Sequence, residues 1–482
     1  MIKLKNLVMQ MKDAEFEAFS YQLKESKADK FYNLFYFLKE DKLSEEEIAE
    51  NLKVNSNAYY TLKSRLYTKI QEFLTSDITG NKMDLLRTVA NIPVLLYNTP
   101  RETALAVLNK LEKELIEFDM PYELTDVYNS LKKLHLHSPK YYEYTQLYNR
   151  HVAYTIALDK AEDLLARFVS LTAEYYMSRS KESLELLWLI KKEMKNLCAL
   201  YASHHLTIYK NILDISFALF VPLPEAIEED EAVEDLLIAT EKILKNYPKD
   251  ANYSFLYNVY NFLSFEYYHS LKQYKKEVQY FEVVNTHLPS FMYYNFCTFN
   301  SKFLISKLER YVQLGLEKTL YEENKTLFAE YLPDPNDVPN FINFLKYMAM
   351  GAFYEENYNE SVSILNRLLN EVSFKNFAHA EVEVKLLLAL SYSMVNKYDP
   401  AFSLLRSVSR KLRELSDTQD LDNAVTFAKM LSMQMETSSK GSEDKLLKLR
   451  DKFELLNQGN SRMLSFLKLD DAFIKILAKT IK

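Results

Sequence analysis

A chain of 482 residues with five glycines against 36 tyrosines and 29 phenylalanines lacks the raw material for many tight hairpins or phosphate-cradling loops. Both need bare backbone, often at positive φ. Hydrophobic content of 48%, with 26% charged residues, is that of a folded chain too long for one core, and a net charge of −7 exerts no overall pull on nucleic acid or anionic membrane.

Chain order begins with three helices over residues 1–79. Phe31, Leu34, Phe35, Phe37 and Leu38 mark the first. Ser44, followed three residues later by Glu47, is a capping box that opens a second helix burying Ile48, Ala49 and Leu52. After the turn Lys53–Ser56, a third helix from Asn57 to Leu74 carries the stripe Tyr59, Leu62, Leu66, Ile70 and Phe73. The stretch from Glu47 to Ser56 is similar to the first helix and turn of bacterial helix-turn-helix transcription regulators. That resemblance implies base contacts from Asn57, Tyr60, Thr61 and Ser64, with phosphate contacts from Lys53, Lys63, Arg65 and Lys69. Lys53 departs from it, standing at the turn position where glycine is preferred. Tyr60 and Tyr67 lie off the main stripe, which suits a docking helix. The lysines of the first dozen residues interrupt any secretory apolar run. With Cys198 and Cys297 the only cysteines, the expected compartment is the cytoplasm, with no membrane partner.

Residues 80–220 read as a first helical array. Leu105, Leu108, Leu111, Leu115 and Phe118 step along one helix face, and Pro93, Pro100, Pro121 and Pro139 punctuate the elements. Tyr141, Tyr144, Tyr148 and His151 then share a face. Their structural reading is a helix interface. Their functional reading is an aromatic wall for a peptide, with Gln146 and Arg150 supplying polar contacts. His135 and His137, two residues apart, lack the i, i+4 spacing of a metal pair, and only close packing would gather His135, His151 and Glu143. Neither a metal nor a cofactor is expected, and no catalytic constellation is legible. The apolar run Ile208–Leu223 carries Lys210 and Asp214 and is too short to span a bilayer.

Residues 221–482 form the second array. Pro222–Asp235 holds two prolines and seven acids, read as a solvated loop entering a helix, and Pro333–Pro339 is a rigid break. Ala349, Tyr358, Ser361 and Leu365 stand at offsets 0, +9, +12 and +16, which Ala389, Tyr398, Ala401 and Leu405 repeat 40 residues on. Tyr268, Tyr274, Phe281 and Val284 make a fainter copy, with Phe265 and Glu277 where small residues are due. Helix, turn and helix, with small residues between them, resemble the tetratricopeptide repeat over 253–285 and 344–415, and a looser helix-pair pattern over 85–220. The repeat's tryptophan is missing, since Trp188 lies elsewhere. The resemblance implies an all-α fold, a right-handed solenoid with a groove. The expected function is a non-enzymatic scaffold binding a protein or peptide in that groove. The alternative is a transcription regulator whose N-terminal domain touches DNA while the array senses a peptide.

Overall fold

The computed structural model describes residues 4–474 except 5–6, 9–10, 12, 27, 41–42, 77–80, 202, 222–230, 248–250, 294–299, 330, 416–420, 436–441, 458–462 and 472. The acids from Glu225 to Asp230 and Cys297 therefore lie outside the described residues. The chain is 84% helix, with no strand among the described residues. It divides into two compact units, Met1–Ile156 and Ala157–Lys482. The sequence reading placed boundaries after residues 79 and 220. The packing division falls once, within a single long helix.

In the first unit run α1 (Asp13–Glu25), α2 (Asp29–Glu40), α3 (Glu45–Asn51), α4 (Ser56–Ser76), α5 (Asn81–Ala90), α6 (Ile92–Asn98), α7 (Arg101–Glu117), α8 (Pro121–Leu134) and the start of α9 (Lys140–Ser178). Two apolar clusters lie inside it. One gathers Leu34, Phe35, Leu66 and Ile70 from α2 and α4, and the other Leu108, Leu115, Val127 and Leu131 from α7 and α8. The N-terminal helices thus have a core of their own. The capping box at Ser44 forms as its spacing predicts: Ser44 N–H donates to Glu47 Oε2 at 2.7 Å, and Glu47 N–H to Ser44 Oγ at 3.4 Å.

The second unit continues with the rest of α9, α10 (Lys181–Cys198), α11 (His204–Phe220), α12 (Val233–Asn246), α13 (Ala251–Ser270), α14 (Tyr274–Thr286), α15 (Leu288–Tyr293), α16 (Asn300–Leu314), α17 (Leu320–Leu327), α18 (Val338–Tyr354), α19 (Tyr358–Glu371), α20 (Ala378–Met394), α21 (Tyr398–Glu414), α22 (Asp422–Met435) and α23 (Ser442–Leu456). Neighbours pack in pairs: α13 with α14, α18 with α19, α20 with α21, α22 with α23. Tyr358 and Tyr398 open α19 and α21, and Ala349, Ser361, Ala389 and Ala401 are fully buried where the paired helices approach. The break at Pro333–Pro339 is a turn from which Asp337 caps α18, its carboxylate accepting from Asn340 N–H at 3.4 Å.

Most of these pairs turn without glycine. Lys53, Asp119, Lys272, Glu356 and Asn396 adopt φ of 51°, 50°, 56°, 64° and 59°, and Gly315 joins them at 69°. After each, the next N–H closes a six-to-one hydrogen bond onto the preceding helix: Val54 to Ala49 O, Met120 to Leu115 O, Gln273 to Tyr268 O, Leu316 to Tyr311 O, Asn357 to Ala352 O and Lys397 to Tyr392 O, all 2.8–3.1 Å. This is the Schellman closure, which normally recruits glycine. Lys53 does not break the turn pattern as its side chain predicts; it takes the left-handed conformation itself.

The faint copy departs from small residues for packing reasons. Phe265 meets Phe281 at 5.5 Å and Phe303 at 6.0 Å between ring centroids, so rings fill the space between α13, α14 and α16. Glu277, 1% exposed, is bonded by Arg310 and lies 3.3 Å from His269 Nδ1. A buried carboxylate persists there because the Arg310 guanidinium bonds it and the His269 imidazole faces it.

Two outcomes are expected. Lys272→Gly should raise unfolding free energy by about 0.5–1 kcal/mol and Lys272→Val lower it by about 1–2 kcal/mol in urea titrations, because a β-branched side chain suffers most at positive φ. Burial works against the charged form of His269, but the Glu277, Glu266 and Glu309 carboxylates outweigh it, and the imidazole is held above its ordinary 6.5. Its stabilising contribution is therefore complete below that value and is lost as pH rises through the folded pKa. His269→Gln should flatten this slope in thermal melts taken at stepped pH.

Candidate functional site

In the first unit, the N-terminal face of α4 exposes Asn57, Tyr60, Thr61, Ser64 and Arg65, and Lys53 and Lys69 are exposed as well. Lys63 is not available to a phosphate. It is 5% exposed, donates to Glu45 Oε1 at 2.6 Å, and lies 5.3 Å from the Tyr59 ring centroid. Burial first, then the nearby Glu45 charge, pushes the Tyr59 phenol up to about 12. Glu45, Glu46 and Glu47 crowd the start of the adjoining α3, so this corner mixes both signs of charge.

The tyrosine face of α9 is largely spent on packing. Tyr144 is buried against Tyr128 and His135, with centroids 6.4 and 5.3 Å away. Tyr148 is half-buried beneath Lys132 Nζ at 4.8 Å. Tyr141 is half-buried, and Gln146 and Arg150 are exposed. Burial holds the Tyr128 and Tyr144 phenols above their usual range, so both act as neutral rings with a hydroxyl. The interface reading describes this geometry better than an open aromatic wall.

A more elaborate arrangement lies in the second unit. Residues 463–470 fold as a turn and an irregular stretch across the first helices of successive pairs. Asn423 of α22 donates to Met463 O at 2.6 Å. Glu383 of α20 accepts the Leu464 N–H at 2.8 Å, while its other oxygen holds Lys346 of α18 at 2.6 Å. Tyr354 of α18 donates to Phe466 O at 2.6 Å and accepts from Lys468 N–H at 3.2 Å. Burial keeps that phenol far above its ordinary pKa, so it stays able to do both. Ser465 bonds Glu309 of α16, and Lys468 Nζ reaches Glu317 at 2.6 Å. The apolar side chains go inward: Leu464, Phe466 and Leu469 are 0%, 1% and 4% exposed, each burial worth about 1.5–3 kcal/mol. Lys346 Nζ sits 5.6 Å from the Phe466 centroid.

Chemically this face is a clamp for a segment without regular structure. A carboxylate and a phenol catch backbone groups, two further carboxylates read a hydroxyl and an ammonium, and the apolar side chains of Leu464, Phe466, Leu467 and Leu469 are buried. Sequence reasoning missed Glu309, Glu317, Lys346, Tyr354 and Glu383. Their one local signal was polarity at interior positions, such as Lys346 within Phe344-Leu-Lys-Tyr-Met-Ala and Glu383 within Val382-Glu-Val.

No family model, curated protein or solved structure matches the chain.

The buried Lys63 yields a direct test. Lys63→Glu should lower unfolding free energy by about 1–3 kcal/mol by setting a second carboxylate beside Glu45, whereas Arg65→Glu should change it by less than about 0.5 kcal/mol. Urea denaturation of both variants measures this.

Proposed function

We propose that the second unit is a tetratricopeptide-like right-handed solenoid, a non-enzymatic scaffold that holds an irregular segment of a partner protein across its first helices. The observation that carries this reading is the lodging of residues 463–474. Glu383 and Tyr354 bind main-chain groups of that segment, contacts any peptide can make, while Glu309 and Glu317 select a hydroxyl and a cation. Backbone capture plus a few side-chain pockets is how grooves recognise peptides that lack structure of their own. The chain's own segment then serves as a resident ligand, and a partner segment enters by exchange. The mixed charge around α4 and the engagement of Lys63 with Glu45 give the regulator reading less support.

A full-length Leu464→Asp, Phe466→Asp variant should release the resident segment. A fluorescent synthetic peptide spanning residues 463–474 should then bind the variant about tenfold or more tighter than the unaltered protein, by the removed competition. The milder Lys468→Glu, set against Glu317, should give an intermediate gain. A variant that keeps its helical circular dichroism yet takes up no peptide would mean that the segment is merely part of the fold.

A further inference from the structure

A separate surface lies at α21–α23. Helix α22 forms the floor of a groove with α21 and α23 as walls, enclosing a cavity of about 780 Å³. Leu412 and Leu449 face each other across it, and Val425, Ala428 and Met433 line the floor. The lining contains no aromatic and no acid. Its rim is Arg413, Lys429, Lys445 and Lys448.

The groove's lining carries four cations and no acid. Nearby, Lys385 is paired with Glu381, Lys411 with Glu381 and Glu414, and Arg450 with Asp471. Among the described residues, Lys429, Lys445 and Lys448 have no carboxylate partner, and Arg413 Nε donates to a main-chain oxygen, Ser409 O, at 3.1 Å. Helical spacing extends both walls. Arg406 and Arg410 share the α21 face of Ser409 and Arg413, and Lys452 shares the α23 face of Lys445, Lys448 and Leu449. An aliphatic trough on a chain of net charge −7 is thus bordered on both sides by cations that have no carboxylate partner among the described residues.

We infer that this groove is a second docking surface, for an acidic amphipathic helix of a partner protein. The floor from Val425 to Met433 runs ~12 Å at the helical rise, the span of anchors at i, i+4 and i+7 on a docked helix. Aliphatic anchors fill the trough and glutamates or aspartates along the flanks meet the two basic walls. Nucleic acid fits less well, because single strands bind by stacking bases on aromatic rings and the lining has none. An acyl chain brings one charged headgroup, which leaves most of the rim unmatched. The surface is distinct from the face that holds residues 463–474, and the inference stands apart from the function proposed above.

The test uses the full-length protein and a panel of fluorescein-labelled helical peptides with leucine at i, i+4 and i+7 and glutamate at flanking positions. Controls are the same peptides with lysine for glutamate, phosphatidylserine-containing vesicles and an oligothymidylate. The acidic peptides should bind, weaken steadily with added salt, and lose about tenfold in affinity in Lys445→Glu, Lys448→Glu, both exposed positions. Ala428→Trp, which fills the trough, should abolish binding. Binding of the 463–474 peptide to the released variant should be unaffected by these changes. Equal affinity for acidic and basic peptides, tighter binding of vesicles or oligothymidylate, or no binding across the panel would each overturn the inference.

Discussion

The structure depends on one hydrogen bond repeated at helix ends: the N–H after a left-handed residue reaching back to the carbonyl five positions earlier. It closes the pairs α7–α8, α13–α14, α18–α19 and α20–α21. The geometry sets the direction in which the second helix leaves the first, and so which faces meet. Because the residue at positive φ is Asp119, Lys272, Glu356 or Asn396, each turn carries local strain of roughly 1 kcal/mol. Burial across the pair outweighs it. In α18–α21 the fully buried Ala349, Ala389 and Ala401 lie where the helices meet, and among α13, α14 and α16 the rings of Phe262, Phe265, Phe281 and Phe303 fill the interior.

A charged side chain at a buried position where the paired helices meet must be neutralised there. Glu277 is the clearest instance: it occupies a position that is small in the other pairs, and it is tolerated because Arg310 and His269 come with it. Lys346 and Glu383, buried across α18 and α20, likewise neutralise each other.

Most of the local architecture was legible from residue order. The capping box at Ser44, the starts of α19 and α21 at Tyr358 and Tyr398, and the break before α18 all depend on neighbours within a few positions, and each forms where the pattern puts it. The left-handed turns were hidden because their usual marker, glycine, is absent. The tyrosines of α9 could be read as wall or interface alike, since a 3- and 4-residue spacing says which side chains share a face and not what covers it. The clamp was the least legible. Glu383 and Leu464, or Tyr354 and Phe466, lie 81 and 112 positions apart, and no periodicity connects an irregular segment to the helices beneath it.

The clamp's chemistry also bears on how readily its occupant could be exchanged. An all-apolar face would cost the full hydrophobic term on exposure and would attract any greasy surface. Here the contacts are mixed. When the segment leaves, Lys346 and Glu383 keep each other as partners, and Glu309 and Glu317 regain water, to which carboxylates bind strongly. The polar part of the cost is thereby partly returned, and the loss is concentrated in Leu464, Phe466 and Leu469. In the exchange proposed above, a replacement segment would have to restore those apolar anchors, whereas its backbone would meet Glu383 and Tyr354 whatever its sequence. On that proposal, affinity would reside in spaced apolar side chains, and register in the hydroxyl and ammonium that Glu309 and Glu317 accept.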